Sequence, residues 1–209
     1  MSLPSGFFIG RAEEQALAKV LVAACTNLER FVPFKKASGL EEVYFSDEAS
    51  PLHSGYTFRA LQSELDILAR PSPKLERLRL EGAYSRFESL AHGRLLKSIL
   101  EHSPAAAAPW HSMELSQLQV TTQPGNGVHC RPAHSDGGCH IVAISYNVQG
   151  FAVCGYQHNG EMQREMLLEP GHGWILCGLD VSGPTRKHYV KPSEVERVSL
   201  TFRYKLRYR

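Results

Sequence analysis

Downstream of Trp110 the chain breaks into short apolar runs separated by Gly, Pro, Asn and Asp: LSQLQV, HIVAISYNV, FAVCGY, EMLLE, GWILCG and RVSLTFRYKL. Runs of this length between turn formers read as strands, and strands at such regular spacing close into a sandwich or barrel. The last run constrains the fold most. In RVSLTFR a two-residue period puts Val198, Leu200 and Phe202 on one face and Arg197, Ser199, Thr201 and Arg203 on the other. The apolar face must be core. The polar face admits two readings: the solvated side of an antiparallel sheet, or a polar lining inside a barrel. Arginines buried there would need an anion. A small dicarboxylate, chelating a metal at one end and paired with arginine at the other, would meet that need.

The N-terminal half is different. Leu17, Val20, Leu21, Ala24 and Leu28 recur at spacings of three and four within Arg11 to Arg30, which predicts a helix. Tyr84 to His102 reads as a second strong helix, burying Phe87, Leu90, Leu95, Ile99 and Leu100, and Tyr56 to Arg70 as a shorter one ended by Pro71 and Pro73. Segment 31–56 reads as loops with short strands, and Ala105 to Ala108 between two prolines as a linker. At 209 residues, 43% apolar and 21% charged, one domain is expected. It divides into a helical, lid-bearing extension over 1–112 packed on a β-core over 113–209. Five cysteines, an odd number without C-x-x-C, indicate a reduced intracellular protein of cytoplasm or nucleus. No secretory signal or membrane span is expected. The net charge of +2 argues against a heavily basic nucleic-acid binder but permits a local patch.

Ten histidines raise the question of a metal. His134-Ser135-Asp136 is an H-x-D, whose first and third residues point the same way in extended chain. His188 follows Asp136 by 52 residues. Two imidazoles and one carboxylate would leave three coordination positions open, the arrangement of non-haem Fe(II) oxygenases. Alone, His-Ser-Asp-Gly-Gly could equally be a polar turn.

Order and spacing together, H-x-D, then His188, then R-x-S beginning at Arg197, resemble the 2-oxoglutarate and Fe(II)-dependent dioxygenase superfamily. LLEPGHGWILCG (167–178) and RVSLTFR (197–203) are similar to the hairpin and final strand of its AlkB-like branch, and IVAISYNV (141–148) to the strand after H-x-D. The resemblance spans roughly residues 115–205. It implies a mainly β, α+β fold: a double-stranded β-helix of the jelly-roll type with N-terminal supporting helices. It implies His134, Asp136 and His188 as iron ligands, Arg197 at the far carboxylate of 2-oxoglutarate and Arg203 near the other. Ser199 and Ser145 would line the same pocket. Fe(II), 2-oxoglutarate and O2 would hydroxylate or oxidatively demethylate a substrate carbon, with succinate and CO2 as co-products.

The family's N-x-Y-x-x-G corresponds here to Val120–Gly125, with Val120 and Thr122 at the Asn and Tyr positions. Replacement contacts are expected from Gln117, Gln119 or Tyr146. The hairpin Asp is His172, expected to be an exposed turn residue. His129, His140, Cys130 and Cys139 are expected to be bystanders, and Trp110 and Trp174 core residues. AlkB-like enzymes act on alkylated nucleobases in single-stranded or flipped-base DNA or RNA. Val43-Tyr44-Phe45 and Tyr56-Thr57-Phe58 could form their substrate lid. Eight Lys or Arg against two Glu from Thr185 onward would suit phosphates, or simply solubilise the tail. The alternatives are a small-molecule or amino-acid hydroxylase and a non-catalytic AlkB-like binding protein. A monomer is expected.

Overall fold

The structure is a computed structural model; it describes residues 6–26, 34–35, 41–46, 74–102, 110–128, 131–134, 141–158, 161–177 and 187–208. The strands are β1 (Phe7–Ile9), β2 (Phe34–Lys35), β3 (Glu41–Ser46), β4 (Trp110–Gln123), β5 (Arg131–His134), β6 (Ile141–Gln149), β7 (Ala152–His158), β8 (Glu161–Leu168), β9 (His172–Cys177), β10 (Lys187–Val190) and β11 (Arg197–Tyr208). Helices α1 (Ala12–Thr26) and α2 (Lys74–His102) complete the set. A seven-stranded sheet runs β1-β9-β6-β11-β4-β3-β2, and a four-stranded sheet runs β5-β10-β7-β8. The recorded pairings are antiparallel. The result is the two-sheet jelly roll expected, with helices behind its larger sheet.

The central strands β9, β6 and β11 of the large sheet are buried on both faces, and period two sorts their residues. Val142, Ile144, Tyr146 and Val148 of β6, with Leu200, Phe202 and Tyr204 of β11, meet the helices in one core cluster. Ala143, Trp174 and Leu176 face the small sheet, packing with Cys154, Tyr156 and Val190. Helix α2 lays Ala83, Phe87, Ala91, Leu95 and Ile99 against the large sheet at four-residue steps. The alanines bring helix and sheet close. Leu90 and Leu100, expected in this stripe, are only half-buried. The helix also starts ten residues before Tyr84, directly after Pro73 in the sequence; Gly82, a weak helix residue, is carried within it.

The N-terminal half is not purely helical: β1, β2 and β3 extend the large sheet. Val43-Tyr44-Phe45 belongs to β3 and pairs with Val120, Gln119 and Leu118 of β4. The segment is thus a strand of the large sheet. Tyr56-Thr57-Phe58, the predicted helix over 56–70 and the linker over 105–108 lie outside the described residues. No described helix is long and apolar enough to cross a membrane.

Glycine is required at Gly150, in the turn from β6 to β7. Its φ is +65°, and a Cβ would stand 1.9 Å from the Glu196 carbonyl oxygen. Asn147 Nδ2 donates to the Gly150 carbonyl at 2.7 Å and to the Leu168 carbonyl at 3.0 Å. One amide thus ties the β6–β7 turn to the end of β8.

A carboxylate sits in the buried stripe of α1. Glu14 is 1% exposed, one turn from Ala18 and two from Leu21. Its side chain accepts from the Arg11 amide at 2.7 Å, half of a capping box. It also accepts from Arg94 Nε at 2.9 Å, Arg94 Nη2 at 2.6 Å and Tyr146 Oη at 3.0 Å. Burial alone would raise the Glu14 pKa; Arg94, the Arg11 amide and Tyr146 outweigh it and hold the group below its ordinary value. A depressed folded pKa contributes stability above the unfolded pKa and loses it as pH falls through the folded one. Glu14→Gln is therefore expected to cost about 2 kcal/mol at neutral pH, because Arg94 keeps a half-buried charge without its partner. The gap from the parent should close as pH falls below about 4. Urea unfolding of both proteins across pH measures it; a gap independent of pH would contradict this role for the carboxylate.

Candidate active site

The polar face of β11 resolves in favour of the barrel lining. Arg197, Ser199, Thr201 and Arg203 are all buried, and all line a cavity between the two sheets. Ser145 of β6 and Trp174 and Leu176 of β9 continue its wall across the large sheet. Thr121 and Gln123 add a wall from β4, and Arg131, His188 and Val190 close it from the small sheet.

The sequence match placed Val120 and Thr122 at the co-substrate positions, but the inward face of β4 is the other one. Val120 packs in the helix-side core, whereas Thr121 and Gln123 line the cavity and Gln119 reaches Arg203. A shift of one residue along a strand reverses the face, so the polar groups offered are Gln119, Thr121 and Gln123. Tyr146, the other replacement considered, points away and binds Glu14 in the helix-side core. The Gln117 side chain is outside the described set.

His134 and His188 are brought together. They are directly opposed in the β5–β10 pair, with ring centroids 4.3 Å apart. Both Nε2 atoms are buried. His134 Nδ1 lies 2.7 Å from the Pro132 carbonyl oxygen. A carbonyl can only accept, so Nδ1 carries a proton; in the neutral ring this leaves the Nε2 lone pair free, the tautomer that a metal needs. Asp136 lies outside the described residues, and no third His, Cys, Asp or Glu joins the two histidines among those described. The donor set present, two adjacent imidazoles of which His134 is held in the ligating tautomer, fits a divalent transition metal.

Arg197 is 3% exposed, and its Nε has no hydrogen-bond partner among the described residues. Burial lowers its pKa, the Cys154 sulfur opposes that, and the charge of Arg131 adds to the lowering. No carboxylate pairs with Arg197 among the described residues. Cys154 is itself buried, its pKa pushed up to about 11 by burial, and stays a neutral thiol. Arg203 differs: Nη1 donates to Gln119 Oε1, and Gln119 Nε2 donates in turn to Thr121 Oγ1 at 2.9 Å. Thr201 Oγ1 donates to Ser145 Oγ at 2.8 Å. Of the residues expected at the site, His188, Arg197, Ser199, Ser145 and Arg203 line this cavity, His134 stands against His188, Gln119 reaches Arg203, and Tyr146 lies on the helix side.

Two residues differ from expectation. His172 is half-buried and not exposed: it opens β9, and its Nδ1 accepts from the Glu169 amide at 3.2 Å. The imidazole closes the turn as an aspartate would. Trp174 is buried as expected but also borders the cavity. His129, His140, Cys130 and Cys139 lie outside the described residues. Sequence reasoning did not single out Thr121, Gln123 or Arg131; the two-residue period of β4, once paired to β11, would have found the first two.

No protein-family model matches the chain, and no curated protein matches it. Solved structures do. A Pseudomonas putida prolyl-4-hydroxylase is 14% identical, with a TM-score of 0.50, over 97% of this chain and 94% of its own. A dioxygenase for auxin oxidation in rice is 14% identical, with a TM-score of 0.53, over 93% of this chain and 68% of its own. The fold is therefore the double-stranded β-helix of these enzymes.

Proposed function

We propose that the chain is an Fe(II)- and 2-oxoglutarate-dependent dioxygenase. One observation carries the reading: two opposed histidines, of which His188 lines a cavity that the buried Arg197, unpaired with any described acid, also lines. His134, Asp136 and His188 would hold the iron. Bound Fe(II) would supply oxidative decarboxylation of 2-oxoglutarate with O2, coupled to oxidation of a substrate C–H bond. The chain's own work is orientation and exclusion. Arg197 would fix the distal carboxylate, with Arg203, held by Gln119, near the other. Ser145, Ser199 and Thr201 would offer hydroxyls along the same wall.

For the primary substrate we favour an alkylated nucleobase in DNA or RNA. Its support is the AlkB-like RVSLTFR strand and the basic segment around it, in which Lys187 and Arg207 are exposed. A small-molecule substrate is the alternative, supported by the departure from N-x-Y-x-x-G on β4. The test is succinate formation from 2-oxoglutarate with Fe(II), O2 and ascorbate. Methylated single-stranded oligonucleotides are expected to stimulate it and to release formaldehyde. Absence of any Fe(II)-dependent succinate refutes the enzyme; succinate formation that methylated oligonucleotides do not stimulate, with no formaldehyde released from them, refutes the nucleobase substrate.

A further inference from the structure

Trp174 has a polar atom that no described residue uses. The residue is 2% exposed, and its indole Nε1 is buried without a hydrogen-bond partner among the described residues. Buried polar groups are seldom left so, and an indole N–H can only donate. The ring is fixed from several sides. Phe7 stacks parallel to it at 5.9 Å, Tyr156 packs at 5.5 Å, and His188 meets it edge-on at 5.7 Å and 86°. A ring held this way cannot turn its N–H elsewhere without disturbing β1 and β7. Arg197 lines the same cavity as Trp174, and its buried Nε is also without an acceptor among the described residues. Two buried donors on residues that line one space, neither met by a described residue, call for a ligand rich in acceptors.

We propose that Trp174 is a ligand-positioning residue whose indole N–H donates to a carboxylate or keto oxygen of the dicarboxylate bound in this cavity. The inference rests on the 2-oxoglutarate reading above. It assigns Trp174 a polar role beside His188, where ring packing alone would be served as well by phenylalanine. The neutral donor adds direction without further charge, complementing the guanidinium of Arg197.

The test compares the parent with Trp174→Phe, using 2-oxoglutarate and Zn(II) as a redox-inert metal. Calorimetry is expected to show a Kd at least about tenfold higher for the variant, the loss of one hydrogen bond to a charged acceptor. The ligand-free variant is expected to melt no lower than a packing change alone requires, since it sheds an unsatisfied donor. If Trp174→Phe does not fold, the parent decides the matter. In 15N-labelled protein, with Trp110→Phe used to assign the two indole signals, the Trp174 N–H resonance is expected to move downfield as 2-oxoglutarate is added. A parent that does not bind 2-oxoglutarate overturns the function proposed above, and this role with it. A parent that binds, with an unchanged Kd in the variant or an unmoved Trp174 resonance, overturns the role of Trp174 alone.

Discussion

The His188→Ala protein is expected to lose divalent-metal affinity by more than about 100-fold and to show no succinate formation. Altering only a hydrogen-bond partner of a metal ligand commonly costs 10–100-fold, and removing a ligand costs more. The geometry makes the prediction specific. His188 faces His134 across β5 and β10 at 4.3 Å between ring centroids, so a cation shared by both loses half its imidazole donors. Binding of Co(II), followed by its visible absorption, reads the loss without any turnover. The comparison residue is His172, which closes the β8–β9 turn; His172→Asn is expected to retain metal binding. Equal Co(II) affinity in His188→Ala and the parent would remove the metal site from the proposal.

Arg197→Met should separate stability from binding in opposite directions. The parental guanidinium has been taken out of water with no carboxylate beside it among the described residues. Replacing such a charge with an apolar side chain of similar length removes a desolvation cost. The ligand-free variant is expected to be more stable by about 1–3 kcal/mol. Affinity for 2-oxoglutarate should fall by about 100-fold or more, the loss of paired hydrogen bonds between charged groups. Metal affinity should not change. Thermal melts with and without 2-oxoglutarate measure both effects. A destabilised variant with intact 2-oxoglutarate binding would mean that Arg197 is a structural cation.

How much of this was legible depended on what period two can reveal. The alternation in RVSLTFR separated Val198, Leu200 and Phe202 from the arginine face before any pairing was known. It could not say whether that face met water or a cavity, because the small sheet that covers it is assembled from four separate strands, β5, β7, β8 and β10. The β4 segment went astray for a related reason. Matching Val120 and Thr122 to a family pattern ignored which face β4 turns inward, and pairing with β11 determines that. In α1 the apolar spacing located the helix but hid Glu14. A carboxylate at a buried position is comprehensible only with Arg94, eighty residues on, to receive it. The Trp174 N–H, which no described residue accepts, is invisible to any pattern, since it is defined by tertiary packing.

The two-sided burial of β11 has a consequence for how this protein can change. Its odd-numbered residues from Arg197 to Arg203 serve the cavity, and its even-numbered ones serve the helices. Point substitutions on one side leave the other side's partners in place, so ligand preference and scaffold strength can drift separately. A single-residue insertion has no such freedom. It would turn every later arginine into the oily layer and every later aromatic ring toward the ligand, failing as catalyst and as scaffold in one event. Variation in length is thus barred from this strand and pushed into the connections between strands.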